Sequence, residues 1–248
     1  MDVKPIPGLE HLPFAEVWFN AIDDDAWRDA SRLARALGKT GLEAWTTDRT
    51  PAVAAFLAAR NYEQVRRYTI SELDVRAAAR PDPSGIPLTT LAVHLDLAEQ
   101  LYEIACEGYP DQPGRSETRL PRFEVWRTWA LDPHPLDACF VAVEGERAVG
   151  YGTLSADGDE GRHEFSAVRR DARGRGIVGA IKRAQIAWAK ERGLRTLRTA
   201  NELRLPQMLA LNERLGYQRL YDELVLRGPA AEPASEVPPT GFEPVSPA

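Results

Sequence analysis

Residues 41–75 and 193–227 are two versions of one segment, and any fold for this chain must accommodate both. "GLEAWTTDRTPAVAAFLAARNYEQVRRYTISELDV" starts at Gly41 and "GLRTLRTANELRLPQMLALNERLGYQRLYDELVLR" at Gly193. Each opens Gly-Leu, runs through a strand-like stretch to a Thr and continues into an apolar-periodic helix. That helix ends at Asn61-Tyr62 in one copy and Gly216-Tyr217 in the other. Asn and Gly best tolerate the left-handed conformation that closes a helix. The match extends upstream, where Trp27, Ala30, Ala34 and Leu37 share one helical face, as do Ile177, Ile181, Ala184 and Trp188. Each copy therefore reads strand, helix, strand, helix, two strands.

The first copy has no counterpart of what precedes the second. There, "DLAEQLYEIACEGYPD" and "RFEVWRTWAL" read as helices, and "ACFVAVEGERAVGYGTLSADGDEGRHEFSAV" reads as three strands joined by turns at Gly145-Glu146 and 156–161. "RAAARPDPSGIP" is a linker, and the Pro-rich tail from Gly228 has no periodicity, as expected of disorder. The chain divides into a partial module at 1–76, a full domain at 77–228 and a tail at 229–248. Because the partial copy begins at the strand "FAEVWF", that edge needs a cover: missing sequence upstream, the second domain or another subunit.

The 248 residues carry a net charge of −6, which argues against a general nucleic-acid binder. No apolar run approaches the roughly 18 residues of a membrane span, and "MDVKPIPGLE" has no leader-like pattern. Cys106 and Cys139 have no metal-ligand spacing and read as buried thiols, so a cytoplasmic location is expected and no metal.

"ARGRGIVGA", residues 172–180, holds Gly174, Gly176 and Gly179 in a G-x-G-x-x-G pattern. A dinucleotide turn follows a buried apolar strand and opens a parallel sheet. Here the glycines follow the polar "VRRDAR" and a set of antiparallel hairpins, and no Gly-Lys-Ser/Thr follows for a Walker loop. A helix start still offers unpaired N–H groups and partial positive charge to a pyrophosphate. Glycine lets the backbone come close, and Arg173 and Arg175 add charged donors.

With the order helix, helix, three strands, glycine turn, helix, strand, helix, strand pair, this stretch resembles the GNAT superfamily of acetyl-CoA-dependent N-acetyltransferases. Their Arg/Gln-x-x-Gly-x-Gly/Ala signature is matched by Arg173, Gly174, Arg175, Gly176, Ile177 and Val178, and "TANELRLPQMLALNERLGYQ" is similar to the family's later strand and fourth helix. The resemblance covers about residues 84–227, and more weakly 14–75, as in a tandem acetyltransferase. It implies an α/β (α+β) fold with a mixed, mostly antiparallel sheet flanked by helices, preceded by a half-domain.

It also implies that acetyl-CoA lies where the fourth and fifth strands of the second copy splay apart. The acetyl group would pass to a primary amine of a small molecule, with a backbone N–H near Val168 polarising the thioester carbonyl and Asn201 touching the cofactor. Glu164, Ser166 and Val168 are expected on one strand face, making Glu164 a candidate base, while His163 points the other way. Two positions depart from the pattern: Val178 replaces Gly or Ala, and Asn212 takes the place where many members have an acidic Tyr. Water or Tyr217 would then protonate the leaving thiolate. A non-catalytic protein that binds acyl-CoA or a partner remains the alternative, and a homodimer is compatible with the sequence. In the first copy "NAIDDDAW" replaces the glycine turn, and three aspartates there suit a helix start while repelling a pyrophosphate.

Overall fold

The computed structural model describes residues 1–79 and 85–232. The first half holds β1 (Val3–Pro5), β2 (Phe14–Trp18), α1 (Asp24–Ala36), β3 (Gly41–Thr47), α2 (Pro51–Ala58) and β4 (Glu63–Asp74). The second holds β5 (Leu88–Thr90), α3 (Ala98–Gly108), α4 (Phe123–Ala130), β6 (Phe140–Glu144), β7 (Arg147–Asp157) and β8 (Glu160–Val168). It continues through α5 (Ile177–Glu191), β9 (Thr196–Glu202), α6 (Pro206–Arg214) and β10 (Gln218–Pro229).

One sheet unites all ten strands in the order β1-β2-β3-β10-β4-β9-β8-β7-β6-β5. Among the described residues, its only parallel pairs are β2 with β3 and β8 with β9, which are equivalent strands of the two copies. The expected strand pair at the end of each copy is a single strand of 12 residues. These last strands are exchanged. β10, from the second copy, lies against β3 of the first, with Leu224 opposite Thr46. β4, from the first, lies against β9 of the second, with Tyr68 opposite Glu202. Residue 76 thus marks a repeat boundary that the sheet crosses twice.

Alternation assigns the two sheet faces. On one face α1 and α2 cover Ala15, Val17, Leu42, Ala44 and Leu226, and α5 covers Leu154, Leu197 and Val168 further along. Asp23 caps α1, accepting from the Ala26 N–H at 2.8 Å. Ala30 and Ala34 of its expected apolar face are buried, but Leu37 is exposed because the helix has already ended. On the other face α3 and α4 cover Val141, Tyr151 and Ala167 around Trp126. Among the described residues, the first half has no such helices on that face.

Three expectations are corrected. The edge at 14–19 is covered by the chain's own β1, which pairs with β2 through Lys4 and Glu16. The tail does not leave the fold at residue 229: Ala231 is buried, its N–H donates to Ser31 Oγ at 2.9 Å, and its carbonyl accepts from Arg35. Residues 233–248 of that tail, and 80–84 of the linker, lie outside the described residues. Cys139 is buried as expected, but Cys106 is exposed.

Candidate active site

β8 and β9 pair only from Glu160–Arg162 against Thr196–Arg198 and then separate. A bulge lies where they part. Gly152 faces Ser166 and Leu154 faces His163, so β8 holds one more residue than β7 between those pairs. A bulge bends its strand and re-aims side chains. The result is a cleft of about 820 Å3 bounded by β8, β9 and the start of α5.

Gly174 and Gly176 have φ of 78° and 79°, and Gly176 caps α5 with no side chain on the helix's first N–H groups. No atom lies within 4 Å of where a Cβ would sit on either glycine. Conformation, not crowding, demands glycine here. Both line the cleft with Ile177 and Val178, so the open N–H groups of α5 face it. Val178 is half-buried.

The arginines divide. Arg173 sits on the cleft wall, donating to the Val168 carbonyl at 3.1 Å and pairing with Asp111 at 2.7 Å. Arg175 does not line the cleft; Glu144 at 2.8 Å and the Asp171 carbonyl at 2.7 Å hold it away. Arg183, which sequence reasoning missed, does line it. Its Nη1 lies 3.5 Å from the Cβ position of Gly179, on the first turn of α5. Neither Arg183 nor Arg214, at the same mouth, makes an ion pair among the described residues. The i, i+4 spacing of Gly179 and Arg183 was the available signal.

Arg169 donates to the Val149 carbonyl at 2.9 Å. In an antiparallel pair the next residue's N–H and C=O then point the opposite way. Val168 therefore aims its N–H into the splay. Asn201 lines the cleft from β9, its Oδ1 accepting from Thr199 Oγ1 at 3.3 Å and from Asn212 Nδ2. Asn212 itself is buried behind Asn201, does not line the cleft, and leaves its own Oδ1 unpartnered.

The bulge corrects the expected face of Glu164. Ser166 and Val168 face α5, while Glu164 turns to the α3 side, where Ser155 Oγ donates to it at 2.6 Å. Its charge reaches Tyr109 at the end of α3, which also stacks on Phe165 at 4.2 Å. Glu164 still lines the cleft, from that opposite side.

His163 is no surface residue. It is buried against α5, with Gln185 at 2.8 Å on Nδ1 and Tyr217 at 2.5 Å on Nε2. Burial, aided by the charge of Lys182, holds its pKa well below the usual value. Tyr217 is buried too, its phenol pushed up by desolvation, and it does not reach the cleft. Lys182, also unforeseen, is only 2% exposed and donates to Thr199 Oγ1 at 3.0 Å. Desolvation lowers its pKa from 10.5 to about 7. His163, Lys182, Thr199 and Asn201 thus form a polar floor under the splay.

Residues 98–217 match the family model described as "Acetyltransferase (GNAT) family". They are a GNAT acetyltransferase domain. Members of this family transfer acyl groups from acyl-CoA. The fold agrees with solved structures. A GCN5-related N-acetyltransferase from Sphaerobacter thermophilus superposes with a TM-score of 0.71 at 18% identity, covering 93% of this chain and 76% of that one. A tandem GNAT protein from the clavulanic acid biosynthesis pathway gives 0.67 at 18% identity, covering 91% and 78%. A GCN5-related N-acetyltransferase from Kribbella flavida gives 0.59 at 16%, covering 92% and 84%. No curated protein sequence matches the chain. Among the described residues, none of the GNAT domain's helices, nor any other, is long and apolar enough to cross a membrane.

Proposed function

We propose that the chain transfers the acetyl group of acetyl-CoA to a primary amine of a small molecule, using the cleft of its GNAT domain. The splay at a helix start capped by two left-handed glycines carries this reading. The N–H groups of Gly174, Gly176, Ile177 and Val178, with Arg173 and Arg183, suit a pyrophosphate. The Val168 N–H suits the thioester oxygen as it gains charge. Asn201 suits an amide of the pantetheine arm, held in place by Asn212. Glu164 accepts a proton from the substrate ammonium, directly or through water. The freed amine attacks the carbonyl carbon, the N–C bond forms, the C–S bond breaks, and the second proton that the nitrogen sheds passes through water to the departing thiolate. A thiol's pKa near 8.5 makes it a tolerable leaving group without an acid. Asp23–Asp25 at the matching helix start argue for a first half that binds no cofactor.

Calorimetry with acetyl-CoA on the wild type and Gly176→Glu tests the site. The added carboxylate should weaken binding at least tenfold, and equal affinities refute the assignment. Thiol release across an amine panel tests the reaction. Binding without release from any amine would establish the non-catalytic reading.

A further inference from the structure

The second cleft, of about 690 Å3, lies where the first half has no helices of its own. Its floor is the uncovered face of β2, β3 and β10. Registry places Trp18 beside Trp45, and Glu223 beside Thr47 and Tyr68, on that face. Its roof is the segment from the end of α3 to α4, which contributes Tyr109, Arg115 and Trp129. Side chains on a bare sheet face normally find a covering layer. Here they face a gap instead.

Four aromatic residues, Trp18, Trp45, Tyr109 and Trp129, line it. Trp18 stacks on Trp45 at 6.0 Å with an interplanar angle of 20°, and Trp45 stacks on Tyr68 at 5.5 Å and 17°. From the roof, Tyr109 meets Trp129 edge-on at 6.1 Å. The buried Nε1 of Trp45 and Oγ1 of Thr118, both on residues lining the cleft, have no hydrogen-bond partner. Tyr68, stacked on Trp45, lines the cofactor cleft rather than this one, and Gln112 lines both. Tyr109 senses the charge of Glu164. The two clefts therefore adjoin at Gln112 and at Tyr109, which stacks on Phe165 beside Glu164.

We propose that this second cleft is the acceptor site, supplied largely by the partial repeat, and that it takes a monoamine on a flat apolar body, of the arylalkylamine class. This rests on the acetyltransferase reading above. Aromatic rings offer large apolar contact at little entropic cost, and Trp45, held between Trp18 and Tyr68, presents its edge to the cleft. Charge decides against a polyamine. Asp2, Glu16 and Glu223 are matched by Lys4, Arg115 and Arg162, so the lining is neutral and offers no anionic track for several ammonium groups.

The test is tryptophan fluorescence of the full chain titrated with phenethylamine and with spermidine, beside steady-state acetylation of both. Phenethylamine should alter the emission saturably and be acetylated with the lower KM. Trp45→Ala should raise its KM at least tenfold and leave the acetyl-CoA affinity within twofold. Trp129→Ala, a change at an exposed position, should act in the same direction if Trp45→Ala fails to fold. Spermidine as the better substrate, or an unchanged phenethylamine KM in both folded variants, overturns the site. Saturable binding lost in Trp45→Ala, with no acetylation of any amine, supports the site and refutes the transferase reading instead.

Discussion

Replacing Lys182 with Met should stabilise the protein, and by an amount that depends on pH. Met keeps the stem and removes the charge. A tenfold change in an acid constant is 1.36 kcal/mol. A fall from 10.5 to about 7 on folding therefore costs about 5 kcal/mol wherever the amine is charged in both states, at pH 6 and below. At pH 9 the folded amine is neutral and the unfolded one still charged, so the cost shrinks to about 2 kcal/mol. Between those limits the unfolded chain binds more protons, and wild-type stability rises with pH. The variant also loses the hydrogen bond to Thr199, worth about 1 kcal/mol at either pH. Lys182→Met should thus gain about 3 kcal/mol more at pH 6 than at pH 9. His163, a titratable neighbour, has its pKa held below the usual value by burial first and by the charge of Lys182 second. Urea denaturation of both proteins at the two pH values measures the difference. An equal gain at pH 6 and pH 9 would mean that Lys182 is not desolvated in the folded state.

Arg183→Ala should weaken acetyl-CoA binding by about 10-fold or more, as loss of a charged hydrogen bond does, whereas Arg175→Ala should change it by less than about 3-fold because Glu144 already holds that side chain. Calorimetry on the pair decides, and equal losses refute the division. Gly228→Ala should cost about 1–3 kcal/mol, since its Cβ would fall 2.3 Å from the ring of Tyr62; an unchanged melting temperature would show that this end of β10 is not docked as described.

The sequence made the second half legible because each of its signals was local. The glycine turn, the caps and the 3.6-residue period of α5 each act over one or two turns of chain. The bulge at 164–165 is not local: neither Glu164 nor Phe165 is a breaker residue, and the extra position exists only relative to β7. Reading β8 as regular put Glu164 on the wrong face. Lys182 looked like any cation on a half-exposed helix, and only the approach of β9 buries it. The exchange of β4 and β10 was hidden by the repeat itself. Two strands descended from one pattern fit either neighbour, so nothing in their sequences chooses between β3 and β9.

That exchange sets the order in which the molecule can be completed. Translation delivers β10 after the other nine described strands, yet β10 is the strand that lies against β3, whose Gly41 pairs with Pro229. Until it emerges, β3 and β4 both present open edges of the kind that recruit other chains. The first half therefore cannot finish folding on the ribosome as an independent unit, although it is made first. A chain released before residue 218 would keep most of its helices and still expose two unpaired strands in its middle. The sheet of this protein closes only once β10, made after the other described strands, has taken its place between β3 and β4.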